Sequence, residues 1–128
     1  MISSFTTFGV RTPLIHEGDD LAGILIESAK RSGAGGFSGD DILVLAETAL
    51  ATAEGNVTRL DSVIPDRESR DLAVRYAMDP RVAEVVRRES DAVVGGIPGF
   101  LLCMKHGTLL PNAGIDASNA PPGCVVPL

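Results

Sequence analysis

The sequence has very few aromatic residues: it contains no tryptophan and one tyrosine, and aromatics make up 4% of its 128 residues. A hydrophobic core must therefore be built from valine, leucine, isoleucine and alanine. Hydrophobic residues nevertheless make up 45% of the chain, which excludes an intrinsically disordered segment. The length is sufficient for one such core. We therefore expect a single domain over residues 1–128.

Cysteine is also scarce, since only Cys103 and Cys124 are present. The N-terminus has neither the basic start nor the apolar run of a secretory signal, and no apolar run is long enough to cross a bilayer. We therefore expect a cytoplasmic protein with two reduced, buried thiols and no membrane partner. Two cysteines and two histidines without suitable spacing do not predict a zinc site.

Basic residues are outnumbered by acidic ones, 11 to 17, and the formal net charge is −6. This surplus of negative charge argues against a nucleic-acid partner. Seven of the eleven basic residues fall between Arg59 and Arg88. They form either a local anion-binding patch or a solvated helical face, and their helical spacing favours the solvated face.

Turn-forming residues divide the chain into helical and strand-like segments. The periodicity predicts a first helix with Asp19 as N-cap and Gly33 after its end, a second over residues 65–78, and a third that follows Asp79 and Pro80. Glycines over residues 95–99 are expected to interrupt the pattern. Apolar runs predict strands over residues 4–10, 41–46, 57–60, 100–104, 108–110 and 124–127, of which 41–46 is expected to be a buried central strand. This order predicts an α+β fold with a mixed sheet and about three helices.

The most informative segment is residues 112–119, Asn-Ala-Gly-Ile-Asp-Ala-Ser-Asn. One carboxylate, Asp116, lies among side-chain amides and a hydroxyl, and such oxygens suit a hard cation and the oxygens of a phosphate. The same residue types also form ordinary turns. A long polar loop in a compact domain is often functional. The residues therefore leave a ligand loop and a plain turn as alternatives.

The last residues of the chain, 125–128, form an apolar, strand-like run. Natural domains usually end in polar residues that can fray. An uncovered strand edge also favours pairing with another chain. We therefore expect either that the sequence is part of a longer protein or that a second chain covers this edge.

Six short motifs follow one another along the chain: Gly18-Asp19-Asp20-Leu21, Gly39-Asp40-Asp41-Ile42-Leu43-Val44, Ala53-Glu54-Gly55, Asp79-Pro80-Arg81, Arg88-Glu89-Ser90 and Asn112-Ala113-Gly114-Ile115-Asp116-Ala117-Ser118-Asn119. In this order they resemble the N-terminal half of the coenzyme F-420 gamma-glutamyl ligase (CofE) family. The resemblance covers nearly the whole chain, and the last motif is the most specific.

The resemblance implies an enzymatic function. Members of the family use GTP and divalent metal ions, Mg²⁺ or Mn²⁺, to join L-glutamate to the deazaflavin cofactor precursor through an amide bond. In such chemistry a carboxylate is activated as an acyl phosphate and an amine then attacks it, so the protein positions the reactants and neutralises charge. The resemblance also implies a homodimer, or a chain that lacks the family's C-terminal half.

The resemblance assigns roles to particular residues. It implies that Asp116 is a metal ligand and that Asn119 contacts the nucleotide. Thr12, Pro13, Leu14 and Ile15 match a segment that lines the nucleotide site, although packing at a strand end would explain the last three equally well. Thr48 matches a further nucleotide contact. No catalytic residue is assigned.

Two positions depart from the family pattern. Where the family has a serine before Thr48 this chain has Glu47, and where it has a lysine this chain has Thr52. Thr52 supplies no positive charge for a phosphate. A carboxylate about 4 Å from a phosphate costs on the order of 4 kcal/mol at an effective dielectric constant of about 20. We therefore expect weak GTP binding by this chain alone.

Three functional hypotheses follow. The chain is part of a GTP-dependent ligase whose site is completed by a second segment or subunit and which is inactive by itself. Alternatively, it is a non-catalytic binding or interaction domain with a degenerate nucleotide site. Under the third hypothesis the chain is a purely structural protein, and residues 112–119 form only a turn with a demanding backbone conformation.

Overall fold

The structure, a computed structural model, describes residues 4–127. Packing divides the chain into two compact units, the first ending at Gly55 and the second beginning at Asn56. Each unit is described by itself. The expectation of one domain over residues 1–128 stays a prediction.

The first unit contains two helices, α1 (Leu21–Arg31) and α2 (Glu47–Ala53). Helix α1 begins one residue later than predicted, because Asp20 rather than Asp19 is the N-cap and its side chain accepts a hydrogen bond from the Gly23 N–H. Asp19 instead accepts a hydrogen bond from the backbone N–H of His16 at 2.7 Å. At the other end the Ser32 hydroxyl donates to the Ala29 carbonyl, so a serine and not a left-handed glycine caps the helix.

The strands predicted over residues 4–10 and 41–46 do not form. Ile42 and Val44 are 90% and 89% exposed, so residues 41–46 are not a buried central strand either. A strand satisfies its backbone only by pairing with a neighbour, and the described residues of the first unit supply no other strand. The prediction was therefore wrong for this chain because the apolar pattern was present and its pairing partner was not.

The described residues of the second unit, 56–127, contain two α-helices, two short 3-10 helices (Leu60–Ser62 and Asn112–Gly114) and five strands. Helix α3 (Arg67–Arg75) begins two residues later than predicted, after the N-cap Asp66. Helix α4 (Pro80–Arg88) begins where the sequence predicted, after the N-cap Asp79 and with proline in its first turn. Helix α3 ends earlier than Met78 because Ala77 adopts a left-handed conformation, with φ of 49°. The strands are β1 (Thr58–Arg59), β2 (Ala92–Ile97), β3 (Phe100–Lys105), β4 (Thr108–Pro111) and β5 (Cys124–Val125).

These strands form two antiparallel sheets, β1–β5 and β2–β3–β4, rather than one mixed sheet. The break predicted over residues 95–99 occurs only at Pro98 and Gly99, between β2 and β3, since β2 runs through Gly96 to Ile97. A Cβ atom on Gly96 would lie 2.5 Å from the carbonyl oxygen of Phe100 and 3.0 Å from the Tyr76 ring. The glycine is therefore required for close packing and does not mark a break.

One face of the three-stranded sheet packs on α4. The shared core joins side chains from the sheet, the helix and the segment after β4, and its fully buried members include Val86, Leu101, Cys103, Ala113 and Val125. Burial also raises the pKa of the Cys103 thiol. Both cysteines are free, but Cys124 is only half-buried, so the expectation of two buried thiols holds for Cys103 alone.

A buried carboxylate joins the two helices of the second unit. Glu84 on α4 is only 2% exposed, and it accepts hydrogen bonds from the backbone N–H of Asp66 at 2.9 Å and from the Arg88 guanidinium at 2.5 Å. The backbone donor at Asp66 is the main reason that the pKa of Glu84 falls to about 2. Arg87 adds an ion pair with Asp66. This network ties the start of α3 to α4.

The basic cluster between Arg59 and Arg88 does not form an open anion patch. Five of its seven arginines lie within ion-pair distance of carboxylates: Arg59, Arg67, Arg81, Arg87 and Arg88. All of these except Arg87 are largely exposed, which agrees with the predicted solvated face. Their charge is compensated locally.

The α+β class is confirmed, with four α-helices where the sequence predicted about three. None of the helices in residues 4–127 is long and apolar enough to cross a membrane. The segment after β4, which contains residues 112–119, is held in place by the core through the buried side chains of Ala113 and Ile115.

Candidate functional site

The loop at residues 112–119 begins with an unusual backbone turn. Asn112, Ala113 and Gly114 adopt left-handed conformations in succession, with φ of 48°, 53° and 79°. Residues other than glycine and asparagine are destabilised in this conformation, because their Cβ atom lies too close to the following carbonyl oxygen. Ala113 adopts it while fully buried. The surrounding contacts must therefore hold the turn in place.

Two polar contacts hold this turn. The side-chain oxygen of Asn112 accepts a hydrogen bond of 2.8 Å from the backbone N–H of Leu101 on β3. The ammonium group of Lys105 lies 3.4 Å from the Ala113 carbonyl oxygen and 3.3 Å from a carboxylate oxygen of Glu89. The Lys105 side chain is only 13% exposed. The turn is thus fixed to β3 on one side and to the end of α4 on the other.

The backbone of Asp116 is fixed by pairing with Val126. The Asp116 N–H donates to the Val126 carbonyl at 3.0 Å, and the Val126 N–H donates back to the Asp116 carbonyl at 2.8 Å. The neighbours Ile115 and Val126 are both buried. Because both backbone groups of Asp116 are paired with Val126 and the preceding side chain is buried, the direction of the Asp116 side chain is set by the fold.

The Asp116 carboxylate is held by its own loop. One oxygen accepts hydrogen bonds of 2.7 Å from both the N–H and the hydroxyl of Ser118, and the other accepts a long contact of 3.4 Å from the Asn119 amide. The Ser118 hydroxyl is the main reason that the pKa of Asp116 is lowered. The carboxylate is therefore anionic at neutral pH, and its second oxygen keeps capacity for a further partner.

The donor chemistry of Asp116 suits a hard cation, but the number of donors does not complete a site. Mg²⁺ and Mn²⁺ prefer six oxygen ligands, several of which are usually water. In residues 4–127 no group of three histidine, cysteine, aspartate or glutamate side chains is placed to hold a metal ion. Asp116 can therefore be one ligand of a cation whose remaining ligands come from outside this loop.

Asn119, the predicted nucleotide contact, is exposed next to Asp116. Its amide lies 3.4 Å from the Asp116 carboxylate and 3.3 Å from the Ser118 hydroxyl. The structure therefore brings together two of the residues that the sequence singled out, the metal candidate and a nucleotide candidate. Their roles stay predictions.

The remaining candidates lie in the first unit. Thr12, Pro13, Leu14 and Ile15 belong to a segment without regular secondary structure, in which Leu14 is 79% exposed. The turn that follows this segment is tied to α2, because the Gly18 N–H donates to the Ala53 carbonyl at 2.9 Å. This contact places the end of the segment beside the end of α2.

The three candidates on α2 differ in exposure. Thr48 and Thr52 are four residues apart, so they share one face of the helix, and both are buried. Glu47 is exposed at the start of the helix. An exposed carboxylate repels a phosphate at about 4 Å by only about 1 kcal/mol, because water screens the charge. The penalty expected from the sequence is therefore reduced.

Sequence reasoning missed the supporting role of Lys105 and Glu89. Neither residue belongs to an apolar pattern, and their contact depends on the packing of β3 against α4. The available signals were a lysine directly after a predicted strand and the motif Arg88-Glu89-Ser90, and neither of them indicates a partner by itself.

Comparison with known proteins identifies similar sequences. The sequence model of the family described as F420-0:Gamma-glutamyl ligase matches residues 9–128. The chain is 39% identical over 115 residues to the coenzyme F420:L-glutamate ligase of Methanopyrus kandleri. The aligned residues make up 89% of this chain and 43% of that protein. It is 37% identical over 117 residues to the protein of the same name from Methanothermobacter thermautotrophicus. This alignment covers 91% of this chain and 46% of that protein.

A third relative gives the same picture. Over 114 residues the chain is 38% identical to the coenzyme F420:L-glutamate ligase of Archaeoglobus fulgidus. These residues make up 89% of this chain and 43% of the relative. The chain thus spans less than half the length of these curated relatives, and it corresponds to their N-terminal half.

Proposed function

Because this chain belongs to the F420-0:gamma-glutamyl ligase family, we propose that it forms the N-terminal half of a coenzyme F420:L-glutamate ligase. The reaction joins L-glutamate to the deazaflavin cofactor precursor through an amide bond, with GTP as the second substrate. The observation that carries the proposal is the family match over residues 9–128, together with the fixed carboxylate of Asp116.

The chemistry requires that two negative groups approach each other. A carboxylate of the precursor attacks the terminal phosphate of GTP, which gives an acyl phosphate and GDP. The amine of glutamate then attacks the acyl carbon and releases phosphate. A divalent cation would neutralise charge on the phosphates during the first step.

We assign Asp116 the role of holding that cation. Its carboxylate is anionic, its backbone is paired with Val126, and one of its oxygens keeps bonding capacity. Asn119 lies beside it and supplies an amide for a phosphate or ribose oxygen. The remaining cation ligands would come from the part of the relatives that this chain does not span.

A metal titration tests this assignment without requiring enzymatic activity. The matched variants are Asp116→Asn, which keeps an oxygen for Ser118, and Asp71→Asn, which removes an exposed carboxylate from α3. We expect weak Mn²⁺ binding by the chain, measured by electron paramagnetic resonance. The affinity should fall at least tenfold in Asp116→Asn and change less than twofold in Asp71→Asn. Equal binding by all three proteins would show that Asp116 is not a ligand.

Nucleotide binding by this chain alone should be weak. Glu47 is exposed at the position where the family has a neutral serine, and Thr52 lacks the family's positive charge. Glu47→Ser should raise GTP affinity about fivefold, which corresponds to removing about 1 kcal/mol of repulsion. Asp71, an exposed carboxylate on α3, is the control position, and Asp71→Asn should have no effect. Calorimetry measures the GTP affinity of both variants and of the unmodified chain. A micromolar or tighter dissociation constant for the unmodified chain would contradict this account of Glu47.

The second candidate function is a non-catalytic binding domain that keeps the fold. Glu47 and Thr52 favour it, since both weaken a phosphate site. It predicts Mn²⁺ binding without ligase activity even when the missing half is supplied.

A further inference from the structure

The three-stranded sheet of the second unit has an apolar surface on the side opposite the core. Leu101 and Cys103 on β3 point into the core and are fully buried, whereas the alternating residues Phe100 and Leu102 lie on the other side and are 52% and 39% exposed. Alternation is the normal geometry of a strand. The exposed side of β3 is therefore as apolar as the buried side.

The neighbouring strands extend this surface. Strand pairing places Ile97 opposite Phe100, Pro111 opposite Leu102, and Leu109 opposite Met104. Ile97 is 65% exposed and Leu109 is 51% exposed. We call this surface the outer sheet face and define it by five residues: Ile97, Phe100, Leu102, Leu109 and Pro111.

The outer sheet face does not have the composition of a solvated surface. An antiparallel sheet with one face in water normally alternates apolar and polar residues, and none of these five residues is polar. The face also carries a groove of about 430 Å³ lined by Ile97, Phe100, Leu102 and Pro111 among others. Contiguous apolar surface of this kind indicates a contact with other protein.

The absence of charge also indicates the kind of contact. Reversible interfaces carry polar rims and charged pairs that orient the partner, whereas permanent interfaces resemble a domain core. None of the five side chains that define the outer sheet face can supply such an orienting group. It therefore fits a permanent contact within one protein better than a reversible partner.

We infer that the outer sheet face is covered by the polypeptide that corresponds to the remaining half of the relatives. The relatives contain more than half their length outside the matched region, and that polypeptide must pack against something. Covering the face would turn the sheet into a central layer with apolar contacts on both sides. The inference rests on the proposed function only in assuming that such a second half exists.

Cysteine labelling tests the inference directly. The first protein is the 128-residue chain, and the second is a chimera in which this chain replaces the matched part of the Methanopyrus kandleri relative. Leu102→Cys reports on the outer sheet face, and Val74→Cys is the control because Val74 is an 86% exposed apolar residue on α3. Fragmentation of the maleimide-labelled peptides by tandem mass spectrometry distinguishes position 102 from the adjacent Cys103 and both reporter positions from Cys124.

The expected result is that the thiol at position 102 reacts at least tenfold more slowly in the chimera, while the thiol at position 74 changes less than twofold. Equal labelling of position 102 in the 128-residue chain and in a folded chimera would overturn the inference. Protection that appears in the 128-residue chain alone and rises with its concentration would show that a second copy covers the face. A protected but inactive chimera would contradict the proposed function and leave this inference standing.

Discussion

Asn112 stabilises the 112–119 loop in two ways, through its tolerance of a left-handed backbone conformation and through a side-chain hydrogen bond. Asn112 has φ of 48°, and its side-chain oxygen accepts the N–H of Leu101 at 2.8 Å. In Asn112→Ala the left-handed conformation costs about 1 kcal/mol more. The unpaired N–H on a buried strand costs a further 1 to 2 kcal/mol, approximately. We expect a loss of about 2 to 3 kcal/mol in the free energy of unfolding.

Two further substitutions at Asn112 isolate these contributions. Asn112→Gly removes only the hydrogen bond, because glycine tolerates a positive φ, and should cost about 1 to 2 kcal/mol. Asn112→Asp keeps the acceptor and should cost less than about 1 kcal/mol. Urea unfolding at pH 7 measures all three. If alanine and glycine were equally destabilising, or alanine cost less than about 0.5 kcal/mol, the reasoning about strain and hydrogen bonding would be wrong.

Other predictions concern the helices, the sheet and the carboxylate. Glu84→Gln should cost on the order of 2 kcal/mol at pH 7, because the native state lowers the pKa of Glu84 from 4.5 to about 2. This contribution is present above pH 4.5 and lost as pH falls towards 2, so thermal melts that show the same loss at pH 2 and pH 7 would contradict it. Gly96→Ala should cost about 2 kcal/mol in urea unfolding, because its Cβ meets the carbonyl of Phe100, and an unchanged midpoint would disprove this contact. Ser118→Ala should raise the pKa of Asp116 in an NMR titration, and no change would show that the hydroxyl does not stabilise the carboxylate.

Local signals predicted the helices of the second unit well. Asp66 and Asp79 were recognised as helix starts because an N-cap acts through groups only three residues away. The separate strands over residues 100–104 and 108–110 were predicted for the same reason, since Gly107 marks the turn between them locally. Such elements depend little on the rest of the chain.

Strand pairing could not be predicted in the same way. Residues 41–46 have a typical apolar strand pattern, yet Ile42 and Val44 are exposed, and the described residues of the first unit supply no partner strand. Gly96 shows the opposite error, since its role depends on the distant ring of Tyr76. Both depend on contacts far apart in the sequence, which a local pattern does not contain.

The candidate site was predicted in part. Asp116 and Asn119 were singled out from one motif, and they do lie together. The pairing of Asp116 with Val126 and the support from Lys105 were not predicted, because each joins segments that meet only after folding. The residue types were therefore readable from the sequence, and their fixed orientation was not.

The most direct test of the central claim is ligase activity in the chimera with the Methanopyrus kandleri relative. The reaction would contain GTP, Mn²⁺, L-glutamate and the deazaflavin precursor, and mass spectrometry would follow the product. We expect a product heavier by one glutamyl residue, formed together with GDP, and a loss of at least a hundredfold in rate for Asp116→Asn but not for Asp71→Asn. A folded chimera that forms no product, or one that is equally active without the Asp116 carboxylate, would contradict the account.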